Sequence, residues 1–490
     1  MDRRLPEALY TAAQVRDLDR AVIDGLGVPG LTLMERAGNA AYRALRRNWP
    51  DARRLAVVCG TGNNGGDGFV VAHRAAQDGL AVRLLQLGDA GKIKGDARTV
   101  AERYWAVGSS EPFSPDGLAD ADVIVDAVFG TGLDRPVEGA YAEAIDAINA
   151  APAPVMAVDI PSGLQGDTGR RMGVAVQAAL TPTFIGLKTG LFTGDGPALT
   201  GAVVFDDLGA PAAAYEQIRP AATRVDAGML GSVLPPRPRT AHKGRYGHVL
   251  VVGGDHGMGG ALRMAAEAAG RCGAGLVSVA TRERHCGPML AARPEVMAHA
   301  VTAAADLDVP MARASVVVIG PGLGQDDWGR GLWERCLTFD GPLVVDADAL
   351  NLLAAVPRRR ERWVITPHPG EAGRLLELGT GDVQADRLAA AERLQTTYGG
   401  VAVLKGAGTV IRGETAAVCT DGNPGMASGG MGDVLSGVLG GLLAQGVPVE
   451  QAARAGVVLH AAAADAAAGR GERGLLATDL MPHLRRLANP

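Results

Sequence analysis

Cysteine is scarce in this chain: five thiols, Cys59, Cys272, Cys286, Cys336 and Cys419, are scattered over 490 residues. Odd in number and widely spaced, they form neither a disulfide framework nor a zinc-ligand pattern, and they suit a reducing cytosol. Aromatic residues make up 4% of the chain, so its cores have to be built from Val, Leu, Ile and Ala. A strong excess of one sign of charge is missing too. A net charge of −5 leaves no polybasic surface for nucleic acid or an anionic membrane. An anionic ligand would then be held by backbone N–H groups and single lysines. Long apolar runs are absent: Val434–Val449 is interrupted by glycines and a proline, and it falls short of the roughly 20 residues a membrane span needs. The N-terminal MDRRLPEALYTAAQ lacks the apolar core of a signal peptide. A soluble, cytoplasmic protein is the expectation.

What is present is a regular alternation. Strand-like runs fall at Leu55–Cys59, Leu80–Leu87, Asp122–Asp126 and Val155–Asp159, with helix-like stretches around Gly68–Asp78, Asp96–Ala106 and Tyr141–Asn149. Such βαβ alternation predicts an α/β fold with a parallel, doubly wound sheet and ligands at the carboxyl ends of its strands. From Gly209 the pattern breaks into a Pro/Ala-rich stretch ending in LPPRPRTAHKG. A second α/β series then runs through His248–Gly253, Leu276–Ala280, Val316–Gly320, Leu343–Asp346, Trp363–Thr366 and Val401–Leu404, and Ala452–Gly469 reads as a closing helix. Two different domains are expected, 1–217 and 218–490, without an internal repeat.

The chemistry of the first half gathers after its strands. GTGNNGGDG (Gly60–Gly68) follows one strand and precedes a helix, so its N–H groups can wrap phosphates. It lacks the Lys-Ser/Thr ending of a P-loop, and its structural alternative is a tight turn with Asp67 capping the helix. DAVFGTGLDRP (Asp126–Pro136) supplies a strand-end carboxylate, a glycine turn and Arg135; VDIPSGL (Val158–Leu164) ends a strand in Asp159 and turns at Ser162. Asn64, Asp126 and Ser162 are hard oxygen donors without a carboxylate cluster, a set that favours a monovalent cation over zinc. Lys188 could meet a phosphate or an acid, although a lone lysine is more often solvated or structural.

These three motifs, in order, resemble the NAD(P)H-hydrate epimerases over residues 10–215. The resemblance implies a Rossmann-like fold and a bound K+ on Asn64, Asp126 and Ser162. It implies substrate contacts from Asn63, Asn64, Gly65, Gly66 and Asp67, from Gly130, Thr131, Gly132, Leu133, Asp134, Arg135 and Pro136, and from Tyr141 and Asp159. Asp159 would be the acid–base residue and Lys188 its helper.

In the second half the densest signal is NPGMASGGMGDVLSG (Asn423–Gly437), which has five glycines and places Asp433 at the start of an apolar helix. Glycine lets N–H groups converge on an anion at a helix N-terminus. A carboxylate there makes sense if it accepts a proton from a hydroxyl attacking a phosphoryl group, the alternative being a plain helix cap. HKGRYGHVLVVGG, GPGLG (Gly320–Gly324), VDADALNLL, TPHPGE (Thr366–Glu371) and KGAGTVI (Lys405–Ile411) also fall at strand ends. Singly each could be structural, GPGLG as a turn and His368 as a buried, satisfied histidine.

Together these motifs resemble the ADP-dependent NAD(P)H-hydrate dehydratases over residues 225–488, a ribokinase-like fold. The resemblance implies that Ala261, Gly322, His368 and Asp433 contact the hydrated nucleotide. It places ADP, with Mg2+, on Lys405, Gly406, Ala407, Gly408 and Thr409, on Asn423, Gly425, Met426, Ala427, Ser428, Gly429 and Gly430, and on Gly432. Two positions depart from that family: Met431 stands where Thr is usual, and DHGMGG (Asp255–Gly260) replaces a Ser/Tyr-containing loop.

The implied activity is repair of hydrated NADH and NADPH (NADHX and NADPHX). R and S forms would be interconverted by the first half, and the S form dehydrated by the second at the expense of ADP, giving AMP and phosphate. Two other readings stay open: a small-alcohol kinase in the second half, and a first half that only binds nucleotides or a protein partner. Ala/Gly-rich surfaces with few aromatics are also compatible with a symmetric homo-oligomer.

Overall fold

The computed structural model describes residues 5–25 and 27–490; Met1–Arg4, which open the N-terminal segment read above, lie outside them. The chain divides into two compact units at Thr223 and Arg224.

The first unit is built on seven parallel strands: β1 (Arg54–Cys59), β2 (Ala81–Gln86), β3 (Ser110–Pro112), β4 (Val123–Ala127), β5 (Val155–Ala157), β6 (Leu180–Phe184) and β7 (Ala202–Asp206). Their spatial order is 3-2-1-4-5-6-7. The winding reverses between β1 and β4, so the loops after those two strands diverge and leave a crevice at their carboxyl ends. Register there runs from Leu55 beside Val123 to Cys59 beside Ala127. Leu55, Val57 and Cys59 feed one apolar cluster and Ala56 and Val58 another, so the sheet is covered on both faces.

Sequence periodicity missed β3, β6 and β7. LTPTF carries Pro182, which argues against a strand because proline cannot donate to a ladder. It is tolerated because β5 pairs with β6 only through Met156 and Leu180. The helix after β1 spans Asn63–Gln77 and so begins five residues before the expected Gly68. Its glycines are there for contact: a Cβ on Gly65 would sit 2.2 Å from the Gly60 carbonyl oxygen, and one on Gly68 2.5 Å from Ala127 Cβ. The small residues let the helix press against the strand ends.

The second unit repeats that winding with an unrelated sequence. Its strands are β8 (His248–Val252), β9 (Leu276–Thr281), β10 (Val296–Ala300), β11 (Val316–Ile319), β12 (Leu343–Val345), β13 (Trp363–Ile365), β14 (Val401–Leu404), β15 (Val410–Arg412) and β16 (Ala416–Cys419). The spatial order is 10-9-8-11-12-13-14-15-16, parallel as far as β14 and antiparallel thereafter. KGAGTVI therefore forms the turn of a hairpin, with Leu404 opposite Val410. The helix Met431–Ala444 is buried along almost its whole length. It lies close against the helix Gly259–Arg271, where a Cβ on Gly437 would fall 2.0 Å from the Ala265 carbonyl oxygen.

Candidate active sites

In the first unit the crevice is a cleft of about 810 Å³. Asn63, Asn64, Asp67, Gly130, Thr131, Gly132, Leu133, Asp134, Arg135, Tyr141, Asp159 and Lys188 all line it. Gly65 and Gly66 are buried within the helix behind that lining, and Pro136 is exposed beyond it. The helix is capped by Gly62 without any side-chain bond, so its first N–H groups point outward as an anion seat. Asp67 is the fifth helical residue and does not cap.

Asp159 is held at the strand end with a left-handed backbone, φ +69°. Such a conformation is costly for a non-glycine residue and persists where the surroundings impose it. Its Oδ1 accepts bonds from the Lys188 ammonium, from Thr183 Oγ1 at 3.2 Å and from the Phe184 N–H at 3.2 Å. Lys188 is 1% exposed, and its remaining protons go to Thr183 Oγ1 and the Phe184 carbonyl. It is therefore a buried partner of an acid, and of the readings open to it the solvated one fails. Burial, then the charges of Asp159 and Asp19, push the Asp67 carboxyl well above the usual carboxylate range.

Behind the cleft Asp126 is fully buried. It accepts from Ser162 Oγ at 2.6 Å, Ser162 N at 2.8 Å and Val128 N at 3.2 Å. Burial raises its carboxyl to about 6 despite those bonds. Asn64 donates Nδ2 to the Phe129 carbonyl at 2.8 Å, and the Phe129 N–H donates to Ser162 Oγ at 2.8 Å. Asn64 Oδ1 is buried with no partner. One orphaned carbonyl oxygen beside a carboxylate, a hydroxyl and a main-chain carbonyl fits a hard monovalent cation.

Asp19 also lines this cleft, and no motif announced it. It comes from the helix Ala12–Arg20, whose Thr11/Gln14 capping box is visible in sequence. Nothing local in the sequence tells that this helix folds back over the strand ends.

In the second unit the strand-end motifs converge on Asp346. Its Oδ1 accepts from Lys405 Nζ at 2.8 Å and Thr366 Oγ1 at 2.8 Å, and its Oδ2 from Ser436 Oγ at 2.7 Å. Burial opposes the ionisation of Asp346, but the Lys405 charge and these bonds outweigh it and hold the carboxyl below its ordinary range. Lys405, expected beside a phosphate, also lies 3.7 Å from Glu371 Oε2. Burial pushes Glu371 up. Asp433 is the third residue of its helix, which Gly430 starts with φ +92° and no side chain caps. Burial, then the charges of Asp346 and Asp348 against that of Lys405, raise Asp433 to about 7. Asp433 is thus no cap, and it can give up or take a proton near neutrality.

His368 is half exposed, so the buried-histidine alternative fails. It starts the helix Pro369–Leu376, and its Nδ1 accepts from Gly370 N at 3.0 Å. Gly322 lies against the DHGMGG loop, where an added Cβ would fall 2.6 Å from Met258 Cβ, and Ala261 is the third residue of the helix Gly259–Arg271. The DHGMGG loop is anchored by Asp255, bonded to Arg282 at 2.7 Å, while Arg282 stacks 4.0 Å over Trp328. In the glycine loop Asp465 holds Asn423 Nδ2 and Gly422 N, both at 2.8 Å. Ser428 Oγ donates to the Leu475 carbonyl at 3.1 Å, which ties the glycine loop to the following segment. Met431 is buried in the core, so its side chain does not join the loop surface. Lys405–Thr409 form the hairpin turn, braced from beneath by Arg387, whose Nη2 donates to the Leu404 and Lys405 carbonyls. A separate cavity of about 790 Å³, lined by residues such as Arg237, Tyr246 and Gln445, holds none of these groups.

Two doubly wound units, one with an anion seat beside a buried Lys–Asp pair and one with a glycine loop opening a helix at a titrating Asp, define a two-site α/β enzyme. Comparison with known proteins makes this specific. Residues 30–190 match the family described as YjeF-related protein N-terminus, and residues 249–486 match that described as NAD(P)H-hydrate dehydratase. The bifunctional NAD(P)H-hydrate repair enzyme of Coxiella burnetii is 50% identical over 98% of this chain and 99% of its own length. That of Escherichia coli K12 is 46% identical over 99% and 95%. A solved ribokinase-like superfamily protein from Enterococcus faecalis V583 superposes with a TM-score of 0.50 at 31% identity, covering 54% of this chain and 94% of that one. The chain belongs to the family of bifunctional NAD(P)H-hydrate repair enzymes, with an epimerase half and a dehydratase half.

Proposed function

We propose that the two sites act in sequence on NADHX and NADPHX: the first exchanges the R and S configurations at C6, and the second converts the S form to NADH or NADPH. The observation that carries the dehydratase assignment is Asp433, poised near neutrality at an uncapped helix start beside the Asp346–Lys405 pair. Asp433 takes the C6 hydroxyl proton while that oxygen bonds to the β-phosphorus of ADP and AMP leaves. The glycine-loop N–H groups hold the transferring phosphoryl; losing one such donor typically costs about 3 kcal/mol of barrier. The C6–O bond then breaks with its electron pair on phosphate, the ring-nitrogen lone pair forms the C=N bond, and loss of a C5 proton gives the reduced nicotinamide. Among the described residues no group of three His, Cys, Asp or Glu side chains is placed to hold a metal. That suits Mg2+ carried mainly by the nucleotide phosphates.

In the first unit Asn63, the helix start and Arg135 bind the nucleotide, and Asp159, oriented by Lys188, moves protons at C6. Asn64, Asp126 and Ser162 hold K+, which would fix the Phe129–Arg135 loop by its charge. All five cysteines are unpaired, in keeping with a reducing, cytoplasmic setting. Among the described residues no helix is long and apolar enough to cross a membrane.

Product analysis tests the second site. With pure S form and ADP, AMP and orthophosphate should appear in equal amounts with reduced nicotinamide. A stable phosphorylated product would return the kinase reading to first place.

A further inference from the structure

Inversion at C6 requires oxygen to leave one face of the ring and return on the other. Asp159 is poorly suited to serve both faces, because a constrained backbone and three hydrogen bonds to Oδ1 fix it. Of the other carboxylates lining the cleft, Asp96 and Asp134 are exposed and Asp67 lies within the helix after β1. Asp19 is half-buried, feels the charges of both Lys188 and Asp159, and accepts no hydrogen bond from the described residues. Its helix is firmly seated, since the Ala12 N–H donates to Asp167 Oδ1 at 2.5 Å and the Thr11/Gln14 box closes the N-terminus.

We propose that Asp19 is the second acid–base group of the epimerisation, serving one face of C6 while Asp159 serves the other. This rests on the epimerase reading of the first unit. In one direction the C6–O bond breaks and its electron pair takes the Asp19 proton, so that water leaves. The ring-nitrogen lone pair forms a C=N bond and a cationic ring. Water then adds to the opposite face, the π pair returns to nitrogen, and the surplus proton passes to Asp159. Asp19 has lost one proton and Asp159 has gained one; the reverse reaction or exchange with solvent restores both. Asp19, Asp67 and Asp159 share Lys188 inside the cleft, whose arginines Arg16 and Arg135 are exposed, so a resident proton is expected.

The groups facing Asp19 are Lys188, Asp159 and Asp67 across the cleft, Tyr215 beside it, and Arg16 on its own helix. Burial, offset by Lys188 and reinforced by Asp159, brings Asp19 to about 6, a value suited to exchanging protons near neutrality. Burial and the charges of Asp159 and Asp19 push the Asp67 carboxyl well above its usual range as well.

The test uses the full chain, with R and S NADPHX separated after timed incubation across a pH series. ADP-dependent conversion of pure S form in the same samples reports that the second unit is folded, and thermal unfolding of the variants beside wild type reports the first. Asp19→Asn should slow epimerisation by about 100-fold or more and abolish the alkaline fall-off that an essential acid produces, and Asp19→Glu should restore part of the rate together with that fall-off. An Asp19→Asn enzyme with the wild-type rate and profile would overturn the proposal. So would Asn and Glu variants equally slow with the wild-type pH dependence, which would make the residue structural. A wild type that fails to interconvert the epimers would instead end the epimerase reading itself.

Discussion

Lys405 Nζ is bonded to Asp346 Oδ1 at 2.8 Å, and this ion pair leaves Asp433, not Asp346, as the carboxyl able to change protonation near neutral pH. Asp346, Glu371 and Asp433 share one cation, and the acid in direct contact takes most of its benefit. With Asp433 as the proposed base, dehydration should rise with pH through about 7 and then level off. Asp433→Asn should lose about 100- to 10,000-fold in kcat and show no such rise. Rates with saturating ADP across a pH series check this.

Potassium should stabilise the first unit. Replacing choline chloride by KCl at a hundredfold excess over its Kd should add about 2–3 kcal/mol to unfolding. Asn64→Leu, which removes the orphaned Oδ1, should cancel most of that gain. Thermal unfolding of the two proteins in both salts would settle the matter, and an equal gain in each would remove Asn64 from the cation site.

Close helix packing in the second unit should make Gly437 intolerant. Its added Cβ would meet the Ala265 carbonyl at 2.0 Å, so Gly437→Ala should cost about 1–3 kcal/mol or more. At Gly381 nothing lies within 4 Å and the helix accepts a side chain, so Gly381→Ala should be neutral or stabilising by up to about 1 kcal/mol. Chemical denaturation of the pair measures the contrast.

His460 is enclosed and its imidazole lowered from 6.5 to about 4, chiefly by burial and then by Lys405. The unfolded chain binds that proton first. Stability should therefore fall as pH drops from about 6.5 toward 4, by up to about 3 kcal/mol from this group. The wild-type minus His460→Gln difference in unfolding free energy isolates the slope, and a flat difference would contradict it.

The strand-end chemistry was legible because glycine and polar residues directly follow β-branched runs, as at Gly60, Asp126, Asp159 and Lys405. Less legible was anything decided by distant packing. Lys188 looked ordinary in TFIGLKTG, yet it is buried against Asp159, and Asp19 reaches the cleft through a helix that precedes the whole sheet. GNNGGDG read as a loop because glycine disfavours helix, but contacts with Gly60 and Ala127 override that preference. Pro182 concealed β6 for a similar reason: the general rule assumes a full ladder, and this strand pairs with β5 through one residue couple.

The most direct test of the account follows recovery of NADPH absorbance from a mixture of R and S NADPHX with ADP, comparing wild type, Asp159→Asn and Asp433→Asn. Wild type should convert the whole mixture. Asp159→Asn should consume the S fraction and then slow to the spontaneous rate of epimer exchange, and Asp433→Asn should recover almost nothing while still interconverting the epimers. Complete, rapid recovery by Asp159→Asn would contradict the assignment of epimerisation to the first cleft, and recovery by Asp433→Asn would contradict that of dehydration to the second.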